Sequence, residues 1–204
     1  MSEEPCRIRI GVSSCLLGEE VRYNGGHKRD PFLTDLLGRY VEWVPVCPEV
    51  EIGLGTPRPA VRLVRIGEGV PDVRMIAPET GADHTDAMRA WAARRVEELA
   101  GEDLAGFILK KDSPSCGMER VKLYPAAGGV PDRPPNREAR GLFADALMRR
   151  FPDLPVEEED RLHDPSLRES FLTRVFVRQH RLCAGRGQVC PDLLLQELML
   201  LNHV

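Results

Sequence analysis

Apolar residues alternate and then run together over Arg7-Ile-Arg-Ile-Gly-Val-Ser-Ser14, the pattern of a strand feeding a sheet, and Cys15 follows directly. A polar loop over 18–30 contains Gly25-Gly26 and ends at Asp30-Pro31. Asp30 suits the cap, and Pro31 the first position, of a helix over 32–40. A second strand is expected over Val41-Glu-Trp-Val-Pro-Val46, with Pro45 unable to donate to the ladder, and again a cysteine, Cys47, comes next. Residues 53–82 are rich in Gly and Pro, with short β-like pieces at 60–66 and 73–76, and read as a β excursion on one side of the sheet.

Thr85 is placed to cap a long amphipathic helix over 86–100, whose inner stripe is Trp91, Ala92, Val96 and Leu99. A third core strand, 104–110, runs into Lys111-Asp-Ser-Pro-Ser-Cys116-Gly. A β piece at 120–124, a Gly/Pro loop at 126–140 and a helix over 141–151 follow. The strand–helix order predicts an α/β fold: a three-layer α/β domain with a mainly parallel sheet over residues 1–154. Beyond it, 152–160 is acidic and punctuated by proline. Residues 165–179 read as a helix with Leu167, Phe171, Val175 and Phe176 on its apolar face, and 191–201 as another. Residues 155–204 are therefore expected to be a short helical C-terminal tail or a vestigial second module.

Composition narrows the function classes. A net charge of −4 gives no electrostatic reason for nonspecific binding to nucleic acid or to an anionic membrane. No apolar run approaches the roughly 20 residues of a spanning helix. The acidic start, 1–5, does not read as a secretory leader. These features predict a cytoplasmic protein, in which the six cysteines are better read as ligands, nucleophiles or core residues than as disulfides.

Cys15, Cys47 and Cys116 each come at or just beyond the C-terminal end of an expected strand. In a parallel sheet those ends share one edge, where such folds bind ligands, so the three thiols can converge. Cys-x-x-Cys knuckles of structural zinc sites are absent. A four-iron cluster normally takes four cysteines; with three, one iron stays open for substrate. Burial as small core residues is the competing reading for each. Cys6, Cys183 and Cys190 lack this placement and read as incidental or structural, although Cys183 and Cys190 could bind a metal with His180.

Four stretches carry a resemblance: Val12-Ser-Ser-Cys15-Leu-Leu-Gly18, Arg22-Tyr-Asn-Gly-Gly-His-Lys28, Cys47-Pro-Glu-Val-Glu-Ile-Gly-Leu-Gly-Thr-Pro-Arg58 and Lys110-Lys-Asp-Ser-Pro-Ser-Cys-Gly-Met118. In this order, over residues 7–151, they resemble the thiouracil desulfidase family, formerly the domain of unknown function 523. The resemblance implies a [4Fe-4S] cluster with three cysteine ligands, Cys15, Cys47 and Cys116, and one open iron site. It implies a catalytic acid, best matched by Glu49, and a serine from the Ser113-Pro-Ser-Cys116 motif, Ser113 before Ser115. The partners it implies are a small thiolated pyrimidine and the iron–sulfur assembly machinery. The stretch 141–176 is similar to proteins in which this domain precedes a second, helical domain, which is expected to be absent or vestigial here.

The implied reaction is hydrolytic: a thiocarbonyl becomes a carbonyl and the sulfur leaves as sulfide. Arg22, Asn24, His27 and Lys28, with Ser115, are the candidate substrate contacts, a charged surface loop being the bland alternative for the first four. Two rivals stand beside this reading. A thiol-based sulfur-transfer or redox enzyme would use Cys47 or Cys116 directly, with a depressed thiol pKa. A non-enzymatic sensor would hold a cluster without releasing sulfide.

Overall fold

The computed structural model describes residues 7–67, 72–125 and 134–188. The expected helix over 191–201, Cys6 and Cys190 lie outside them. β1 (Ile8–Ser13), β2 (Val41–Val46), β5 (Gly106–Leu109) and β8 (Val156–Glu158) form a four-stranded sheet in the order β2-β1-β5-β8, with every pair parallel. A second sheet, in the order β4-β3-β6-β7, joins β3 (Arg62–Ile66), β4 (Asp72–Ile76), β6 (Val121–Tyr124) and β7 (Asn136–Ala139). The β excursion is thus half of a separate mixed sheet, and β7 lies inside the stretch expected to be a Gly/Pro loop.

Alternation along β5 shows how the layers arise. Phe107 and Leu109 face one core, shared with α2 (Thr85–Ala100), α3 (Leu142–Arg150) and the second sheet. Ile108 faces the other, with Ile8, Ile10 and Val12 of β1. That second core is covered by Phe32, Leu33 and Leu37 and by Phe171, Leu172 and Val175 of α4 (Pro165–Gly185). The result is the three-layer α/β arrangement expected from the strand–helix order. At the centre of the first core Phe143 meets Trp91 at 5.3 Å and Phe107 at 5.7 Å between ring centroids. Gly11 on β1 leaves room for the Phe107 ring, which a Cβ there would approach to 2.1 Å.

Some local expectations change. The Asp30 carboxylate does cap the 30s helix, accepting the amides of Phe32 and Leu33 at 2.9 and 3.3 Å. That helix is a π turn over Phe32–Leu36 and a 3-10 turn over Leu37–Arg39; the Leu37 amide reaches the carbonyls of both Phe32 and Leu33. Thr85 opens α2 from inside: its amide is taken by Asp83 at 2.9 Å, while its hydroxyl accepts from the Met75 amide at 2.8 Å.

Packing also runs across the boundary expected at residues 154/155. β8 pairs with β5 as the edge strand of the parallel sheet, and α4 buries Phe171 and Val175 in the β1 core. A three-residue strand carrying two glutamates has no apolar alternation to reveal it. Cys183 on α4 is buried and disulfide-bonded, which corrects the expectation of a reduced thiol at that position. Among the described residues no helix is long and apolar enough to cross a membrane.

Candidate functional site

The C-terminal ends of three of the parallel strands, β1, β2 and β5, meet at one cavity of about 470 Å³. Cys15, Cys47, Cys116, Glu49, Ser113 and Lys28 line it. β1 delivers Cys15 in the 3-10 turn Ser14–Leu17. β2 delivers Cys47, which caps the short helix α1 (Pro48–Glu51) and so sets Glu49 in its first turn. The Glu49 carboxylate is buried and lies 3.9 Å from the Cys47 sulfur. Glu51, one turn on, faces away from the thiols: it accepts the Cys47 amide at 3.0 Å and pairs with Arg95 at 3.3 Å.

β5 delivers the loop that carries Cys116. The Ser113 hydroxyl oxygen accepts the amides of Ser115 at 3.2 Å and Cys116 at 3.0 Å, closing a tight turn under the cysteine. The first turn of α3 holds that loop from below. Amides of Gly141, Leu142, Phe143 and Ala144 donate to carbonyls of Gly117, Pro114 and Ser115 at 2.8–3.1 Å. These are helix N–H groups with no intrahelical partner, and no side chain caps them. Contact is so close that a Cβ on Gly141 would stand 2.4 Å from the Ser115 carbonyl.

Three of the expected substrate contacts are not among the residues lining the cavity. The Asn24 side chain folds back on the Gly26 amide at 3.2 Å. The His27 ring accepts the Arg29 amide at 3.1 Å. Ser115 is fully buried, and its hydroxyl has no hydrogen-bond partner among the described residues. Residues outside the expected set of substrate contacts line it as well: Ser13, Tyr23, Arg58 and Lys110, with Arg22 beside Lys28. Arg58 ties two loops together, its guanidinium donating to the carbonyls of Val21 and Gly55 at 2.8 Å each. Arg58 and Lys110 each end or begin a stretch that stood out in the sequence. Nothing in residue type alone separates a cavity wall from a surface charge.

Burial dominates the electrostatics of the thiols. It pushes Cys15 up to about 12 and Cys47 up to about 11, and Cys116 well above its ordinary value. The negative charge of Glu49 raises all three further, and Lys110 opposes it at Cys15. Free of metal, all three are neutral thiols at neutral pH, and a metal must displace their protons to bind.

Among the described residues no group of three or more His, Cys, Asp or Glu side chains is close enough to hold one metal ion. In a four-iron cluster each thiolate binds its own iron, so its ligands stand farther apart than those around a single ion. The donor set fits such a cluster: three soft sulfur donors on one cavity, close enough to raise one another's proton affinity, with cationic Lys110 and Arg22 at the wall.

A family model described as 2-thiouracil desulfurase matches residues 10–159. An uncharacterized protein of Bacillus subtilis (strain 168), YbbK, is 37% identical over 110 residues, which cover 53% of this chain and 72% of that protein. Among solved structures, a [4Fe-4S]-dependent thiouracil desulfidase, TudS, is 32% identical and superposes with a TM-score of 0.58 over 80% of this chain and 99% of its own.

Proposed function

This chain belongs to the 2-thiouracil desulfurase family, and from that we propose that it strips sulfur from a thiolated pyrimidine, releasing it as sulfide at a four-iron cluster held by Cys15, Cys47 and Cys116. The observation that carries this reading is the meeting of three thiols, Cys15 and Cys116 buried and Cys47 half-buried, with a buried carboxylate and the Ser113 hydroxyl at one cavity. When bound, a cluster with one iron lacking a protein ligand supplies a soft Lewis acid for the thiocarbonyl sulfur.

The chain's own groups then have separate tasks. Glu49 takes a proton from the water that attacks the thiocarbonyl carbon. A C–O bond forms, the C–S bond breaks, and the pyrimidine leaves as the oxo form; overall, thiocarbonyl and water become carbonyl and hydrogen sulfide. Ser113 accepts two amides, which occupy its lone pairs and leave its O–H free to donate to the charge that develops on the substrate. Lys28 and Arg22 at the wall hold the polar edge of the ring. Raised thiol pKa values argue against direct attack by Cys47 or Cys116, since a nucleophilic cysteine needs a depressed one.

Anaerobic reconstitution tests the proposal, with iron and acid-labile sulfide counted per chain and sulfide release measured on 2- and 4-thiouracil. About four irons per chain with sulfide release is the expected result. A cluster without release on any thiolated pyrimidine would leave the sensor reading standing. Turnover by iron-free protein would restore the thiol nucleophile.

A further inference from the structure

β8 and the residue after it place three consecutive carboxylates at the site's edge, Glu157, Glu158 and Glu159, all buried. Buried carboxylates are tolerated when each is paired or hydrogen-bonded, and each of these is. Glu157 pairs with Arg161 at 2.7 Å. Glu158 accepts the Met118 amide at 2.9 Å. Glu159 differs from both because its partner lines the cavity: one oxygen accepts the Lys111 amide at 2.7 Å and the other pairs with the Lys110 ammonium.

Lys110 is held from several sides. Its amide donates to the Ser13 hydroxyl oxygen at 2.9 Å, and its ammonium donates to the Lys111 carbonyl at 3.1 Å. The Ser13 hydroxyl in turn is hydrogen-bonded to Cys116. Lys110 and Glu159 are both largely buried, their side chains 16% and 10% exposed. A lysine on a free four-carbon stem samples many rotamers, and its charge has no fixed place. Glu159 removes that freedom and fixes the start of the Cys116 loop with the same carboxylate.

We propose that Glu159 is a positioning residue of the site, fixing the Lys110 ammonium at the cavity wall so that its charge offsets the buried thiolates that hold the cluster. This rests on the cluster reading above. Lys110 lines the same cavity as Cys15, Cys47 and Cys116, so a fixed ammonium there faces the three sulfur donors. Loss of an outer partner of a metal ligand typically weakens metal binding by 10- to 100-fold.

The test compares the wild-type chain with E159Q, K110R and the double variant K110M/E159Q, each reconstituted anaerobically, by the rate at which iron passes to a chelator. The double variant leaves no unpaired charge and keeps an acceptor for the Lys111 amide, so its iron-free form is expected to melt with the wild type. It should nevertheless lose iron about 10- to 100-fold faster, with E159Q nearer to it than to the wild type. K110R, which keeps the cation, should hold iron close to the wild-type rate. Wild-type iron retention in the double variant or in E159Q overturns the proposal, as does K110R losing iron as fast as the double variant. A wild-type chain that takes up no iron overturns the cluster reading itself, and this inference with it.

Discussion

The Glu49 carboxylate stands 3.9 Å from the Cys47 sulfur, two residues on and in the first turn of the same short helix. The proposed base and one proposed cluster ligand are thereby placed by one structural unit. Replacing Glu49 by Gln keeps its size and removes its proton affinity. Turnover should fall by about 10²- to 10⁴-fold while iron content and visible absorption stay unchanged. E51Q is the control, because Glu51 braces the Cys47 amide and Arg95 instead of facing the cavity. An E49Q enzyme as active as the wild type would take Glu49 out of the chemistry.

The two motif serines make opposite predictions. Ser113 lines the cavity and accepts two loop amides. S113A strands those amides, which costs about 1–3 kcal/mol, and it should also lower kcat. Ser115 is buried with an unpartnered hydroxyl, so S115A removes an unsatisfied group and should leave turnover intact while holding or raising the melting temperature. Thermal melts beside sulfide-release rates distinguish the two. A slow S115A with a normal S113A would reverse the assignment.

Gly141 is the point where α3 and the Cys116 loop touch. Its missing side chain matters because the nearest atoms are the Ser115 carbonyl, part of a backbone that α3 itself holds in place. G141A should therefore destabilise by about 2 kcal/mol or more, and iron retention should fall with it. A G141A chain with wild-type urea unfolding would mean that the loop yields more easily than its hydrogen bonds suggest.

Burial holds the Glu158 carboxyl above its ordinary pKa, with the backbone hydrogen bonds to Met118 and Glu119 pulling it back. The folded chain thus binds this proton more tightly than the unfolded chain does. Between the unfolded and folded pKa values its contribution to stability falls as pH rises, and it levels off above the folded value. E158Q lacks the titration. Its stability relative to the wild type should grow as pH rises above the usual glutamate range, measured by urea unfolding from about pH 4 to 8. A difference that shrinks over that range would show the carboxyl to be stabilised in its charged form.

Strand ends followed by cysteine were legible because β5 and most of β1, inside the parallel sheet, bury both faces and leave short apolar runs, while β2 at the edge keeps enough apolar positions to read as a strand. The long helix α2 was legible from its stripe, with Trp91, Ala92, Val96 and Leu99 all buried. β8 was not, because its glutamates are buried through polar partners that no apolar pattern reveals: the Met118 amide, forty residues away, for Glu158, and Arg161, four residues on, for Glu157. β7, Asn-Arg-Glu-Ala, is an edge strand with mostly exposed polar residues and reads as loop. The cavity wall was half legible. Lys28 and the motif thiols line it, whereas Asn24 and His27 spend their side chains on neighbouring backbone amides, a choice decided by loop geometry.

Amides in the first turn of a helix ordinarily exchange their hydrogens with solvent as fast as those of a frayed end, for want of a partner. In α3 the amides from Gly141 to Ala144 are all engaged by the Cys116 loop. Their exchange is governed by the opening of that loop, so four backbone positions some 25 residues downstream of Cys116 serve as built-in reporters of whether the cysteine is held in place.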